Sequence, residues 1–125
     1  MTIVFGLANC DSTRKARNWL ARFGLAHEFV DYRDNRQAPE TLKAWRDAVG
    51  GWEALVNKQS TTWRNLPDAR KTPHSDPEWT LLLKEYPQLI KRPVLVTDDG
   101  AVSVGFTDNG WKKRFLIQDK VSEKK

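Results

Sequence analysis

Cys10 is the sole cysteine of this chain, and its neighbours, Asn9-Cys10-Asp11-Ser12-Thr13, are polar on both sides. A cysteine acts as a nucleophile in its thiolate form. Its free pKa of ~8.5 falls to about 3.5–7.5 beside a helix N-terminus or a cation. Cys10 stands where the apolar run Thr2-Ile3-Val4-Phe5-Gly6 gives way to the helix-forming stretch from Ser12 to Leu20. The start of a helix offers unpaired backbone N–H groups and the positive end of the macrodipole, and both favour an anion. A lone cysteine is more often a small buried apolar residue. This one lies on the apolar face of neither element, which favours a reactive thiol. Asp11, Ser12 and Thr13 are residue types that cap helices. The amides of this turn, from Asn9 to Thr13, together with the hydroxyls, can cradle an oxyanion or an incoming sulfur. Asp11 is expected to point outward, since an inward carboxylate raises the thiol pKa. With no second cysteine in the chain, any disulfide formed at Cys10 needs an external thiol to resolve it.

The second stretch that could carry chemistry is Lys91-Arg92-Pro93-Val94, a charged pair and a proline at the start of a buried strand. Proline is tolerated at a strand start. The guanidinium of Arg92 suits a thiolate or an oxyanion, but only if the fold brings it to Cys10. No metal ligand set is assigned and no bound cofactor is expected.

The elements that must position these residues follow from periodicity. Residues 2–6 read as a strand, and a helix follows with apolar residues at 16, 19, 20 and 23. Gly24 caps that helix, and His27 to Tyr32 reads as a second strand, closing a parallel βαβ unit. The pattern is then helical to about Leu89. Pro39 opens a helix with Leu42, Trp45 and Val49 in register, ended by Gly50-Gly51. Ser75-Asp76-Pro77-Glu78 reads as a capping box ahead of Trp79, Leu82, Leu83 and Tyr86. Between the two, residues 52–72 read as short helical turns and loops. Residues 93–97 and 101–104 form a hairpin about Asp98-Asp99-Gly100. Asp108-Asn109-Gly110 then leads into a last helix over 111–116. The order predicts an α/β, thioredoxin-like fold: a βαβ-ββα core with a mixed four-stranded sheet and a helical insertion at about 35–90. Residues 1–117 form a single domain, and 118–125 a basic, frayed tail. In thioredoxin-like folds the proline opening the third strand is cis and faces the cysteine, which brings Arg92 beside Cys10.

Composition narrows the class of function. Of 125 residues, 21 are Lys or Arg and 16 are Asp or Glu, giving a net charge of +5. The basic residues are spread with acids between them, without the stripe and aromatic platforms of a nucleic-acid binder. A mild positive field still favours an anionic small substrate. The N-terminus lacks a secretory pattern, and a single cysteine forms no internal disulfide, so a reducing cytoplasm is expected. No apolar run reaches the roughly 18 residues of a membrane span.

Three spaced motifs resemble the arsenate reductase/Spx family, and within it the small YffB-type branch. They are Gly6-Leu7-Ala8-Asn9-Cys10-Asp11-Ser12-Thr13-Arg14-Lys15-Ala16, Leu55-Val56-Asn57-Lys58-Gln59-Ser60-Thr61-Thr62-Trp63-Arg64 and Ile90-Lys91-Arg92-Pro93-Val94-Leu95. The resemblance implies a nucleophilic Cys10 and an anion-binding Arg92, with glutathione as co-substrate and glutaredoxin as a possible redox partner. Asn57 and Lys58 fall in the segment where the family's arsenate reductases carry a second arginine. Gly6 stands where they have a histidine, and Val104-Gly105-Phe106-Thr107 lacks their third arginine. Thr13 stands at the second cysteine of the Spx Cys-x-x-Cys switch. The expected activity is a glutathione-dependent thiol reductase acting on a disulfide, mixed disulfide or small oxidised substrate. The alternatives are arsenate reduction with glutathione and glutaredoxin, or an Spx-like protein-binding regulator without the switch.

Overall fold

A computed structural model describes residues 1–117. The tail expected to fray, 118–125, lies outside the described residues. The elements are β1 (Thr2–Gly6), α1 (Asp11–Arg22), β2 (His27–Asp31), α2 (Pro39–Val49), α3 (Trp52–Leu55), α4 (Thr61–Arg64), α5 (Asp76–Glu85), β3 (Val94–Val96), β4 (Val102–Val104) and α6 (Asp108–Arg114). Short 3-10 turns at Asp68–Arg70 and Pro87–Leu89 complete the insertion. The four strands lie in the order β2-β1-β3-β4, with β1 parallel to β2 and antiparallel to β3, and β3 antiparallel to β4. This is the mixed α/β sheet that the element order predicts.

Alternation along the central strands divides the core between two faces. Val4 of β1 and Leu95 of β3 pack with Ala16, Trp19 and Leu20 of α1 and Trp111 of α6. Phe5 and Val94, one residue along, pack on the opposite face against Leu42, Trp45, Trp79, Leu82 and Leu83 of the insertion. The helical insertion is therefore the second layer on one face of the sheet. Burying an aromatic or branched side chain of this kind contributes about 1.5–3 kcal/mol. Trp19 anchors the first face, with Phe23 at 4.6 Å and Trp111 at 5.6 Å between ring centroids.

Most boundaries sit where local chemistry places them. Gly24 takes a left-handed φ of 68° just beyond α1, and Gly50 one of 102° beyond α2. Ser75 Oγ accepts from the Glu78 N–H, as a capping box requires, but the Glu78 carboxylate turns to the His74 N–H instead of the Ser75 N–H. Two expectations need correction. Asp108-Asn109-Gly110 is the first turn of α6 rather than a lead-in, because Thr107 Oγ1 accepts from the Gly110 N–H and starts the helix earlier. At α1 none of Asp11, Ser12 and Thr13 caps. Cys10 itself holds the cap position, so these residues are the first three of the helix: Asp11 pairs with Arg14, Ser12 Oγ lies against Cys10 Sγ, and the buried Thr13 Oγ1 has no hydrogen-bond partner among the described residues.

Candidate active site

Sheet topology gathers the site. Because β1 and β2 are parallel and in register from Thr2 opposite His27 to Gly6 opposite Asp31, both strands end at the same edge of the sheet. Strand β3 runs the other way, so its first residue, Val94, pairs with Phe5 near that end. The turn after β1, the end of β2 and the residues before β3 therefore meet. Cys10 and Arg92, 82 positions apart, touch there: Arg92 Nε donates to Cys10 Sγ at 3.3 Å.

Cys10 is half-buried, with extended backbone angles of φ −93° and ψ 131° at the head of α1. Ser12 Oγ lies 3.1 Å from the sulfur and is a donor to the thiolate. Burial of the sulfur pushes its pKa up. Donation from Ser12, the Thr13 backbone N–H and Arg92 outweighs that and brings the thiol down to about 6. At neutral pH the sulfur is thus mainly thiolate. Arg92 is held in turn by the Gln88 carbonyl, which accepts from Nη1 at 2.7 Å. The Arg92–Pro93 peptide is cis, and Pro93 is buried with its carbonyl accepting from the Gly105 N–H at 2.9 Å.

Two supports come from β2. Asp31, buried at the strand end, accepts from the Ala8 N–H at 3.0 Å and from the Arg33 N–H at 2.9 Å, pinning the turn that carries Cys10. Burial would raise its pKa, but the bonds from Arg33 and Ala8 lower it overall. Tyr32, fully buried, donates its hydroxyl to the Ile90 carbonyl at 2.8 Å, two residues before Arg92. Burial holds its phenol well above the ordinary range, so it stays a donor. Neither residue was among the candidates read from the sequence. The available signal was their place at the end of the strand paired with the one that leads to Cys10.

The remaining candidates divide. Ser12, Asn57 and Arg92 line a small cleft of about 270 Å³, together with Lys91 and Gly105. Asn57 reaches it because its backbone N–H donates to the Leu89 carbonyl while Lys91 N–H donates to the Leu55 carbonyl, locking the two segments about the Val56–Ile90 bridge. Lys58 points elsewhere. Its ammonium pairs with Glu53 at 2.5 Å and lies 5.3 Å above the Trp63 ring, so it belongs to the aromatic stack of the insertion. Lys91, its cationic replacement in the cleft, follows from chain geometry that spacing alone does not reveal. Asp11 is exposed and ion-paired with Arg14, and Asn9 is exposed on the turn. Thr13 has no exposed surface, so its side chain meets no substrate. Among the described residues no cluster of His, Cys, Asp and Glu could hold a metal ion. No described helix is long and apolar enough to cross a membrane.

The sequence profile of the ArsC family matches residues 5–114, which include the turn of Cys10, the cleft and Arg92. The chain belongs to the ArsC family. A Haemophilus influenzae relative named only as an uncharacterized protein is 38% identical over 116 residues, covering 92% of this chain and 99% of its own. The solved structure of a protein titled YffB superposes with a TM-score of 0.80 at 32% identity, over 90% of this chain and 97% of that one. A solution structure of an arsenate reductase (ArsC) related protein from Brucella melitensis gives a TM-score of 0.70 at 34% identity, over 93% and 95% of the two chains. Within the ArsC family this chain is of the YffB type, and its fold is the thioredoxin-like one its element order implies.

Proposed function

We propose that the protein is a glutathione-dependent thiol reductase with Cys10 as its single nucleophile. The observation that carries this reading is the Arg92 Nε donor 3.3 Å from a sulfur whose pKa lies at about 6. In a mixed disulfide between a substrate thiol and glutathione, the Cys10 thiolate attacks the glutathione sulfur. The old S–S bond breaks, the substrate leaves as its thiolate and takes a proton from solvent, and Cys10 holds glutathione as a mixed disulfide. A second glutathione, as thiolate, attacks that sulfur and releases oxidised glutathione and the Cys10 thiolate. The net change is a thiol–disulfide exchange: the substrate sulfur goes from disulfide to thiol, the sulfur of the second glutathione goes from thiol to disulfide, and the first glutathione sulfur stays at the disulfide level throughout. Arg92 and Ser12 stabilise the sulfur before attack and as a leaving group, and the amides at the start of α1 add the helix dipole. Lys91 and Asn57 offer a cation and an amide to the carboxylate groups of a glutathionyl substrate in the cleft. Glutaredoxin is the partner proposed for the same resolving step, in a reducing cytoplasm.

The second reading, arsenate reduction, uses the same sulfur but requires oxyanion binding by a different set of cations. With Lys58 paired to Glu53, Arg92 and Lys91 are the cations left at the cleft. One assay separates the readings. With glutathione as reductant, turnover of a glutathionyl mixed disulfide and its loss in Cys10→Ser support the proposal. Turnover of arsenate with the mixed disulfide ignored would replace it with the second reading. A biological activity that survives Cys10→Ser would point instead to a protein-binding regulator.

A further inference from the structure

A second cleft adjoins the one beside Cys10. It measures about 470 Å³ and is lined by Lys15, Asn18, Trp19 and Arg22 of α1, with Phe106 and Asp108 at the entry to α6. Ser12 and Gly105 line the first cleft. Lys15 follows Ser12 by three residues on α1, and Phe106 follows Gly105 directly, so the two clefts succeed one another along the helix. Positions 12, 15, 19 and 22 recur at three and four residues and share one helical face. The track begins at the nucleophile, since Ser12 Oγ lies 3.1 Å from Cys10 Sγ. Its opposite wall is tied down: the Gly105 N–H donates to the Pro93 carbonyl at 2.9 Å, and the Phe106 ring lies 6.2 Å from that of the buried Trp19.

The track is basic. Lys15 is exposed and has no ion pair or hydrogen bond among the described residues. Arg22 is also exposed, 3.8 Å from Asp108 and 5.0 Å above the Phe23 ring. The acids nearby are engaged: Asp108 accepts from Trp19 Nε1 at 2.6 Å and pairs with Lys112 at 3.3 Å, and Asp11 pairs with Arg14. Along the track Lys15, Arg22 and Lys112 therefore stand against one free-standing carboxylate, that of Asp108. Ser12 to Arg22 spans about 15 Å of helix, the length of roughly four to five residues of extended peptide. Glutathione carries its thiol on the central residue of three, so neither of its arms reaches Arg22.

We propose that this track binds the polypeptide half of a mixed disulfide: the substrate is a glutathionylated peptide or protein cysteine with acidic side chains within about five residues of it, which Lys15 and Arg22 select. The glutathione half lies in the cleft of Lys91 and Asn57. The occupant is a polypeptide and not a nucleic acid, because its end at Cys10 has to present a sulfur. The Cys10 thiolate attacks the glutathione sulfur, the old S–S bond breaks, and the peptide sulfur leaves as a thiolate at the head of the track and takes a proton from solvent. The inference rests on the reading of Cys10 as the nucleophile of a thiol reductase and names the substrate class for it.

The test gives the full chain three mixed disulfides of glutathione: that of cysteine itself, that of a peptide of about eight residues with glutamates two and four places from its cysteine, and that of the same peptide with glutamines. With glutathione as reductant at low salt, the glutamate peptide should exceed the glutamine peptide about fivefold in kcat/KM, mainly through KM, and added salt should shrink the ratio. Lys15→Gln with Arg22→Gln should bring the ratio to about one. Lys15→Glu with Arg22→Glu should favour a peptide with lysines in place of the glutamates. Equal turnover of the glutamate and glutamine peptides, or a ratio untouched by these exposed substitutions, overturns the proposal, while turnover of the cysteine disulfide leaves the reductase reading standing. If none of the three is turned over, the reductase reading fails and binding alone decides the track. The glutamate peptide with serine for cysteine should then shift the amide NMR signals of Lys15, Asn18 and Phe106 more than the glutamine peptide does, and equal shifts overturn the proposal. Displacement of the glutamate peptide by a short RNA, or self-association of the chain that Lys15→Glu abolishes, assigns the track to another occupant and overturns it as well.

Discussion

Replacing Arg92 with methionine removes a charge while keeping the length of an apolar stem, and its effect can be worked from a single distance. The guanidinium Nε lies 3.3 Å from Cys10 Sγ. At an effective dielectric constant of about 20, unit charges at that separation attract by about 5 kcal/mol. Cys10 is only half-buried. Solvent screening therefore brings this down to the range of a charge-assisted hydrogen bond, about 1.5–3 kcal/mol. Dividing by 1.36 kcal/mol per pK unit, Arg92→Met should move the thiol from about 6 to roughly 7–8. At pH 7 the thiolate fraction falls from about 90% to between about 10% and 50%. The assay is the rate of iodoacetamide alkylation from pH 4 to 10. The variant should lag the wild type at pH 7 and match it at high pH, where both are ionised. Superposed profiles would refute the role assigned to Arg92. Stability supplies an independent check. The folded pKa of Cys10 lies below its unfolded value, so the contribution is full above about 8.5 and is lost as the pH falls through about 6. Under reducing conditions the melting temperature, relative to that of Cys10→Ser, should therefore decline over this window in the wild type and decline less in Arg92→Met.

Two further outcomes follow from the geometry. Tyr32→Phe leaves the Ile90 carbonyl buried without its 2.8 Å donor; a loss of about 1–3 kcal/mol should appear as a lower urea midpoint. Lys58→Ala should leave mixed-disulfide turnover unchanged, since the side chain is engaged with Glu53 and Trp63, whereas Lys91→Ala should raise KM for an anionic thiol substrate with little change in the Cys10 midpoint. Equal effects of the two lysine variants would contradict the assignment of the cleft.

The parts of this protein legible in its sequence are those governed by near neighbours. Cys10 at the head of α1, Gly24 and Gly50 beyond helix ends and Ser75 with Glu78 at the start of α5 all follow from the backbone demands of one turn of chain. The alternation of Val4 with Phe5 likewise declares a strand covered on both faces. Capping at α1 was misread because a residue suited to capping does so only at the cap position, and Cys10 occupies it. Lys58 was misread for a related reason. A cation near a motif in sequence has many directions open to its long side chain, and Glu53 and the tryptophan rings of the insertion offered it the better one.

What the sequence alone determined is the place of Cys10 at the head of α1 and the order of elements, because period and local backbone demands are written into contiguous residues. Which groups face the sulfur was decided by the tertiary structure. Arg92 touches Cys10 only because β3 is antiparallel to β1, and Asp31 holds the turn only because β2 is parallel to it and in register. Strand order and direction are set by how two layers of helices cover the sheet, a property of the whole chain's packing, and a thiol pKa near 6 depends on that convergence. The buried hydroxyl of Thr13 belongs to the same class. Its residue type was visible at once, but the missing hydrogen bond exists only in three dimensions.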